Sequence, residues 1–382
     1  MIKRNIISLW AIALLQGMVF YAPVATLYRQ AAGLGIFHIT VIESISLWLT
    51  VCLEIPWGWL ADRIGYRKTM RVCCFLFFVS KFIFWRAEGF FGFLLERLLL
   101  SVVCAGLSGV DTAMLYLSCG EGDSHRIFSV YENLGQLGML AAAGIYAFGI
   151  GENYRLAAFL TVLSYGGAAL CSFGLQEVFP RQGQRTAPGR LLTLLRGQLG
   201  DPKILLLLLA VALLNECHQT ITVFLSQLQY ITAGMDHAQI SLAYVLTNLM
   251  ALAGGFSAFF CRKTGPKSMG TGLLVLAAFS CLALSLCKVA VISVIAVILL
   301  RLCFSLMQPL HMDLQNQQIT GQDRATALSI NAVVMESLGI FLNLVFGALA
   351  EFRLEAAMLL GAVLCAAGAV LYRLSFRFLQ PR

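Results

Sequence analysis

Gly58-Trp-Leu-Ala-Asp62-Arg63-Ile-Gly65-Tyr-Arg67-Lys68 is a charged, glycine-framed turn between two long apolar stretches. One acid and three bases cannot rest in hydrocarbon, so the turn must emerge on one membrane face, ending one helix and starting the next. Its bases predict the cytoplasmic face.

The rest of the chain agrees with that reading. Of 382 residues, 59% are hydrophobic and 12% charged, with a mean hydropathy of +0.82, a balance that excludes a soluble domain of this size. At roughly 20 apolar residues per span, the length takes about a dozen helices and no sizeable soluble domain. The net charge is +8, but its distribution matters more than the sum. A twelve-helix layout puts 19 of the 27 Lys and Arg on the side of the Gly58–Lys68 turn and only Arg29, Arg86, Arg155, Lys288 and Arg353 on the other, leaving Lys81, Arg97 and Arg301 within helices. That asymmetry predicts a multi-pass protein of the cell membrane with both termini cytoplasmic. Nucleic acid is not needed as a partner, and a monomer suffices.

Twelve cysteines show no CxxC pair or Cys/His ligand spacing, so they read as small packing residues and no metal site is expected. The five histidines are scattered, where a polytopic membrane enzyme would cluster His and Asp at one face; the chain is not read as an enzyme. It also lacks a Gly-rich Lys-Ser/Thr phosphate loop, so no nucleotide cofactor is expected and a proton gradient is the expected energy source.

Shifted by about 200 residues, the chain matches itself. Ala11-Ile-Ala-Leu-Leu-Gln16 pairs with Ala210-Val-Ala-Leu-Leu-Asn215, and Asp62-Arg-Ile-Gly65-Tyr-Arg67 with Arg262-Lys-Thr-Gly265-Pro-Lys267. Arg97 and Ser101 recur as Arg301 and Ser305, and Arg126 and Asn133 as Arg324 and Asn331. The repeat predicts two six-helix halves related by an axis along the membrane normal. The halves are 1–176 and 203–382, joined by a cytoplasmic linker at 177–202 with a surface helix at 190–199. Spans are expected at 5–30, 38–61, 69–88, 90–118, 127–150 and 154–176, then 203–231, 237–261, 268–287, 290–318, 325–350 and 354–378. Lys3 and Arg4 before an apolar run look like a signal peptide, but the repeat makes that segment a retained helix.

Gly58, Asp62, Arg63, Gly65, Arg67 and Lys68 resemble motif A of the major facilitator superfamily. Glu54-Ile-Pro-Trp-Gly58, Ser108-Gly-Val-Asp111-Thr-Ala-Met-Leu-Tyr116 and Arg324-Ala-Thr-Ala-Leu-Ser329 resemble stretches of one broad bacterial group within it. The resemblance implies an all-α fold of 12 transmembrane helices and a secondary transporter working by alternating access. It also implies that Asp62 latches onto the start of helix 11 near Arg324, with Arg262 replacing the acid in the second copy. Motif C, which accompanies antiporters, is partial: Gly135, Gly138 and Gly144 are present, its proline is not. Arg97 resembles the motif B arginine.

Helix 7 carries the densest polar set. Asn215, Gln219, Thr222, Ser226 and Gln229 recur at helical spacing and are expected on one face, flanked by Glu216 and His218. A charge at mid-helix costs about 2.5–3.5 kcal/mol, so Glu216 is expected to face a cavity and suits a carboxylate that carries a coupling proton. Asp111, Glu132 and Glu336 are further proton-coupling candidates. Substrate-cavity candidates are Gln16, Tyr21, Arg97, Asn133, Asn215, His218, Gln219, Thr222, Ser226, Arg301, Gln308, His311 and Asn331. Glu43 and Glu88, near helix ends, are expected to be solvated. Aromatics mixed with acids suit a lipophilic cation or weak base. The favoured function is proton-coupled efflux of small amphipathic compounds, drugs or metabolites; the alternative is symport of a nutrient through a narrow site including His311 and Asn331.

Overall fold

The computed structural model describes residues 3–108, 110–118, 124–178, 200, 202–318 and 324–378, and among these every regular element is helical. The first half consists of α1 (Lys3–Gly17, resuming as Ala25–Ala31), α2 (Ile36–Ile64), α3 (Tyr66–Arg86), α4 (Gly89–Leu107, resuming as Val110–Ser118), α5 (Ser124–Ile145, with a π turn at Tyr146–Ile150) and α6 (Tyr154–Ser172). The second consists of α7 (Pro202–His218, a π segment Gln219–Leu225, then Ser226–Thr232), α8 (His237–Leu249, then Met250–Phe256 as a 3-10 segment and Ser257–Thr264), α9 (Pro266–Leu286), α10 (Ala290–Gln318), α11 (Arg324–Phe352) and α12 (Leu354–Phe378). Eleven of these spans are long and apolar enough to cross a membrane; α3, with five basic residues, is the exception. Residues 179–199 and 201 of the expected linker, including its surface helix, lie outside the described residues.

Contacts divide the chain into two compact units, Met1–Gly183 with His237–Val245, and Gln184–Asp236 with Leu246–Arg382. Each packs by the same scheme. In the first, α1 packs on α5 and α6, α2 on α4, and α3 on α4 and α6. Adding six to each number gives the second: α7 on α11 and α12, α8 on α10, and α9 on α10 and α12. The start of α8 belongs with the first unit, where the Ser241 hydroxyl donates to the Ala143 carbonyl at 2.7 Å.

Glycines permit the closest approaches. A Cβ on Gly17 would overlap the Gly135 carbonyl, and one on Gly138 the Leu14 carbonyl, so α1 and α5 meet backbone to backbone. The interruption of α1 between Gly17 and Ala25 frees backbone groups that no water in hydrocarbon could satisfy. Helix α6 supplies the partners: Ser164 donates to the Leu15 carbonyl (2.6 Å), Tyr165 to the Gln16 carbonyl (2.6 Å), and Thr161 accepts from the Phe20 amide (3.0 Å).

Gly138→Val is expected to cost about 1–3 kcal/mol by overpacking, read as a lower thermal unfolding midpoint of the purified protein. Gly144→Ala, with no atom within 4 Å of the added carbon, is expected to leave that midpoint unchanged.

Candidate functional site

In the first unit, five charged side chains meet inside the helix bundle. Glu43 of α2 accepts from Arg29 of α1 at 3.1 Å and is also paired with Arg97 of α4. Lys81 of α3 lies 3.4 Å from Glu96 of α4. All but Arg97 are at most 8% exposed. A buried charge must be paired, and the pairing here is uneven: three bases share two acids. Aromatic rings take part of the excess. The Lys81 ammonium sits 5.2 Å over Phe77, 5.5 Å over Tyr165 and 5.9 Å over Tyr21, and Tyr21 stacks on Phe84 at 4.1 Å.

This cluster corrects two expectations. Glu43 is not solvated, because the resumed segment Ala25–Ala31 of α1 carries Arg29 in beside the start of α2; Arg29 likewise leaves the outer surface. Glu88 does remain exposed, paired with Arg155 at 2.7 Å. Glu96 and Lys81 were absent from the candidates. Their signal was positional: Lys81 lies six residues before the Ala87–Glu88 turn and Glu96 eight after it, so the α3–α4 hairpin brings them level.

The second unit has a different chemistry around Arg301, the arginine that the repeat matches to Arg97. Arg301 of α10 donates to Nε2 of His218 on α7 at 3.0 Å, and His218 stacks on Phe304 with centroids 4.0 Å apart. A guanidinium can only donate, so the proton of neutral His218 sits on Nδ1, which is buried and has no partner among the described residues. Two residues earlier, Glu216 is 5% exposed; its Oε1 accepts from Thr220 at 2.7 Å, and its other oxygen is so near α11 that a Cβ on Gly339 would lie 2.8 Å from it. Among the described residues Glu216 has no ion-pair partner.

The polar face expected along α7 does not persist. Asn215 and Thr222 are half-buried and Gln219 exposed, but Ser226 and Gln229 are buried, and Gln229 clamps the α9–α10 turn through the Leu284 and Cys287 carbonyls. The π segment Gln219–Leu225 widens the turn, so positions after it rotate off the face that a continuous 3.6-residue period predicts. Of the remaining candidates, Gln308 is half-buried. His311 is buried against Gln315 at 2.7 Å, and among the described residues its Nδ1 and the Oδ1 of the buried Asn331 have no partner. Gln16 reaches the Cys74 sulfur at 3.6 Å, Asp111 accepts from Tyr131 at 2.9 Å, Glu336 is half-buried, and Glu132 and Asn133 are exposed.

At the Gly58–Lys68 turn, Gly65 has φ +91° and starts α3. Glu177, just beyond α6, accepts from the Arg67 amide at 3.1 Å and lies 3.6 Å from its guanidinium, placing a carboxylate at the positive end of α3. A Cβ on Gly65 would come within 2.9 Å of that carboxylate. Arg71 completes the joint by donating to the Phe173 and Leu175 carbonyls at 2.8 and 3.1 Å. Arg63 and Lys68 are exposed. Gly58 lies within the last two turns of α2; the side chains of Asp62 and Arg324 lie outside what the structure describes.

The model of the Major Facilitator Superfamily matches residues 7–343. The chain belongs to that superfamily. Solved transporters share the fold at low identity. The nucleoside transporter NupG is 14% identical with a TM-score of 0.81, covering 98% of this chain and 99% of its own. A bacterial homologue of the human lysosomal transporter Spinster, inward-facing and unoccupied, is 13% identical with a TM-score of 0.78 over 98% and 97%. A POT family transporter in complex with 5-aminolevulinic acid is 12% identical with a TM-score of 0.74 over 99% and 96%. No curated protein sequence matches the chain significantly. The twelve helices in two six-helix halves are thus the superfamily fold, and the chain is a multi-pass membrane transporter.

Removing Glu43 strands the buried guanidinium of Arg29 and the half-buried one of Arg97, so Glu43→Gln is expected to destabilise the purified protein by about 3 kcal/mol. Adding Arg29→Gln to it is expected to cost less than the sum of the single changes, as a double-mutant cycle of unfolding free energies would show.

Proposed function

We propose that this superfamily member is a proton-coupled transporter that exports small amphipathic compounds, with Glu216 binding and releasing the coupling proton. One observation carries the reading: Glu216 is a buried carboxyl group with a hydroxyl donor, Thr220, and no ion-pair partner among the described residues. A charge in that setting is costly, whereas the protonated group is a neutral, hydrogen-bonded side chain. Gain and loss of the proton therefore give α7 two states whose balance a proton gradient can tip during alternating access. Glu43 and Glu96 suit that role poorly, since protonating either would leave buried bases uncompensated. Asp111, held by Tyr131, is the reserve acid of the first half, ahead of the exposed Glu132 and the half-buried Glu336.

Buried charge also bears on the substrate. With three bases against two acids in the first unit and Arg301 in the second, neutral or anionic amphipathic compounds fit better than the lipophilic cations that aromatic content alone favours. A second reading, symport of a polar nutrient, draws support from the open Nδ1 of His311 and Oδ1 of Asn331, which suit a narrow hydrogen-bonding site. Nucleosides and 5-aminolevulinic acid, named for two of the structural relatives, are the first polar solutes to try. Asp62 and Arg324 are proposed as the cytoplasmic latch, and a monomer as the working unit.

In proteoliposomes with an imposed pH gradient of either sign, the native chain is expected to drive substrate against the proton flow. Glu216→Gln is expected to reduce gradient-driven movement to background while sparing substrate exchange at zero gradient. Undiminished gradient-driven transport by that variant would refute the assignment, and accumulation in the direction of proton flow would select symport.

A further inference from the structure

Helices α9 and α12 pack tightly at their basic ends, where a Cβ on Gly270 would overlap the Tyr372 ring and the Tyr372 hydroxyl donates to the Pro266 carbonyl at 3.0 Å. On their outer side they leave a groove of about 530 Å³, walled by Val275 and Phe279 of α9 and by Leu359, Val363 and Val370 of α12. Each of these five side chains is exposed. Arg373 closes one end. It is exposed too, and has no ion-pair partner among the described residues.

Length and charge identify the occupant. Leu359 to Arg373 is fourteen residues, about 21 Å at the helical rise of 1.5 Å. Half of a hydrocarbon core roughly 30 Å thick is about 15 Å, so the groove runs from the interface at Arg373 past the midplane. The Tyr372 bond sets Arg373 level with the turn that carries Arg262, Lys263 and Lys267, the side that the positive-inside rule places in the cytoplasmic leaflet, where anionic lipids concentrate. A guanidinium offers a fork of donors matched to phosphate. We propose that this groove seats one anionic phospholipid of that leaflet, with its phosphate on Arg373 and an acyl chain along Val275, Phe279, Val363 and Val370.

The test uses the full-length purified protein, delipidated in detergent and titrated with phosphatidylglycerol or with phosphatidylcholine of the same chains, with bound lipid counted by native mass spectrometry. The native chain is expected to retain one phosphatidylglycerol with about fivefold preference over phosphatidylcholine. Arg373→Gln, a surface change, is expected to bring the two lipids to parity. Ala366→Phe, which adds a ring to the groove lining, is expected to lower retention of both. Equal preference in the native chain and Arg373→Gln would overturn the proposal, since an arginine that merely snorkels to water gives no head-group selection. A dimer mass abolished by Ala366→Phe would also overturn it, assigning the groove to a second copy.

Discussion

Within hydrocarbon every polar group must find its partner inside the protein, and the interruption of α1 shows how far that constraint reaches. Once the helix breaks at Gly17, the Leu15 and Gln16 carbonyls and the Phe20 amide need donors and an acceptor, which α6 provides through Ser164, Tyr165 and Thr161. Because the break is satisfied, the resumed segment can turn Arg29 inward to Glu43. Glu43 in turn makes it possible to bury Arg97, and the ring of Tyr165 serves twice, bonding the broken backbone and facing the Lys81 ammonium. A single backbone irregularity thus supports a charge cluster that no regular six-helix packing would hold.

The two halves keep a common frame but have parted in chemistry. Helix pairings recur with six added to each number, and Ser101 and Ser305 both return their hydroxyl protons to the carbonyl four residues back, those of Arg97 and Arg301, at 2.9 Å. Those two arginines then meet different partners, a carboxylate on α2 in the first half and a neutral imidazole on α7 in the second. Packing geometry is set by backbone approach and small residues, so it survives divergence; charge partners depend on single side chains, and one substitution rewrites them. The first half came to hold a paired cluster with one base in excess, the second an acid without a counter-ion among the described residues.

That division explains what could be read from the residues alone. The number of spans, the six-plus-six repeat and the glycine at the start of α3 follow from periodicities and from charges that hydrocarbon rejects, and these depend on local sequence. Glu43, Glu96 and Lys81 depend instead on which helices face each other and on a break whose local signs, Gly17 and Pro23, do not say where the chain resumes. The face of α7 failed for a related reason: a π segment adds a fraction of a turn, and nothing in Gln219–Leu225 announces it. The Glu177 cap on α3 was hidden because it lies 110 residues from the Arg67 amide it receives, in a stretch that composition assigns to the linker.

The contact between Glu216 and α11 bears on how a proton taken up there could be felt elsewhere. Gly339 presents only backbone to the carboxylate, and even a methyl group at that position would come within 2.8 Å of Oε2. With the N–H groups of α11 committed to the helix's own bonds, an ionised carboxylate there would need water or other donors, whereas the neutral acid can lie against the backbone with Thr220 as its partner. If Glu216 carries the coupling proton as proposed, a change in its charge would alter the spacing that α7 and α11 prefer. The π segment that begins three residues later is the stretch of α7 best able to absorb such a shift, because its wider turn can revert to regular helix without breaking the chain of backbone bonds. His218 rides on the same turn with Arg301, so a movement that began at the acid would reach the arginine of α10 through one hydrogen bond.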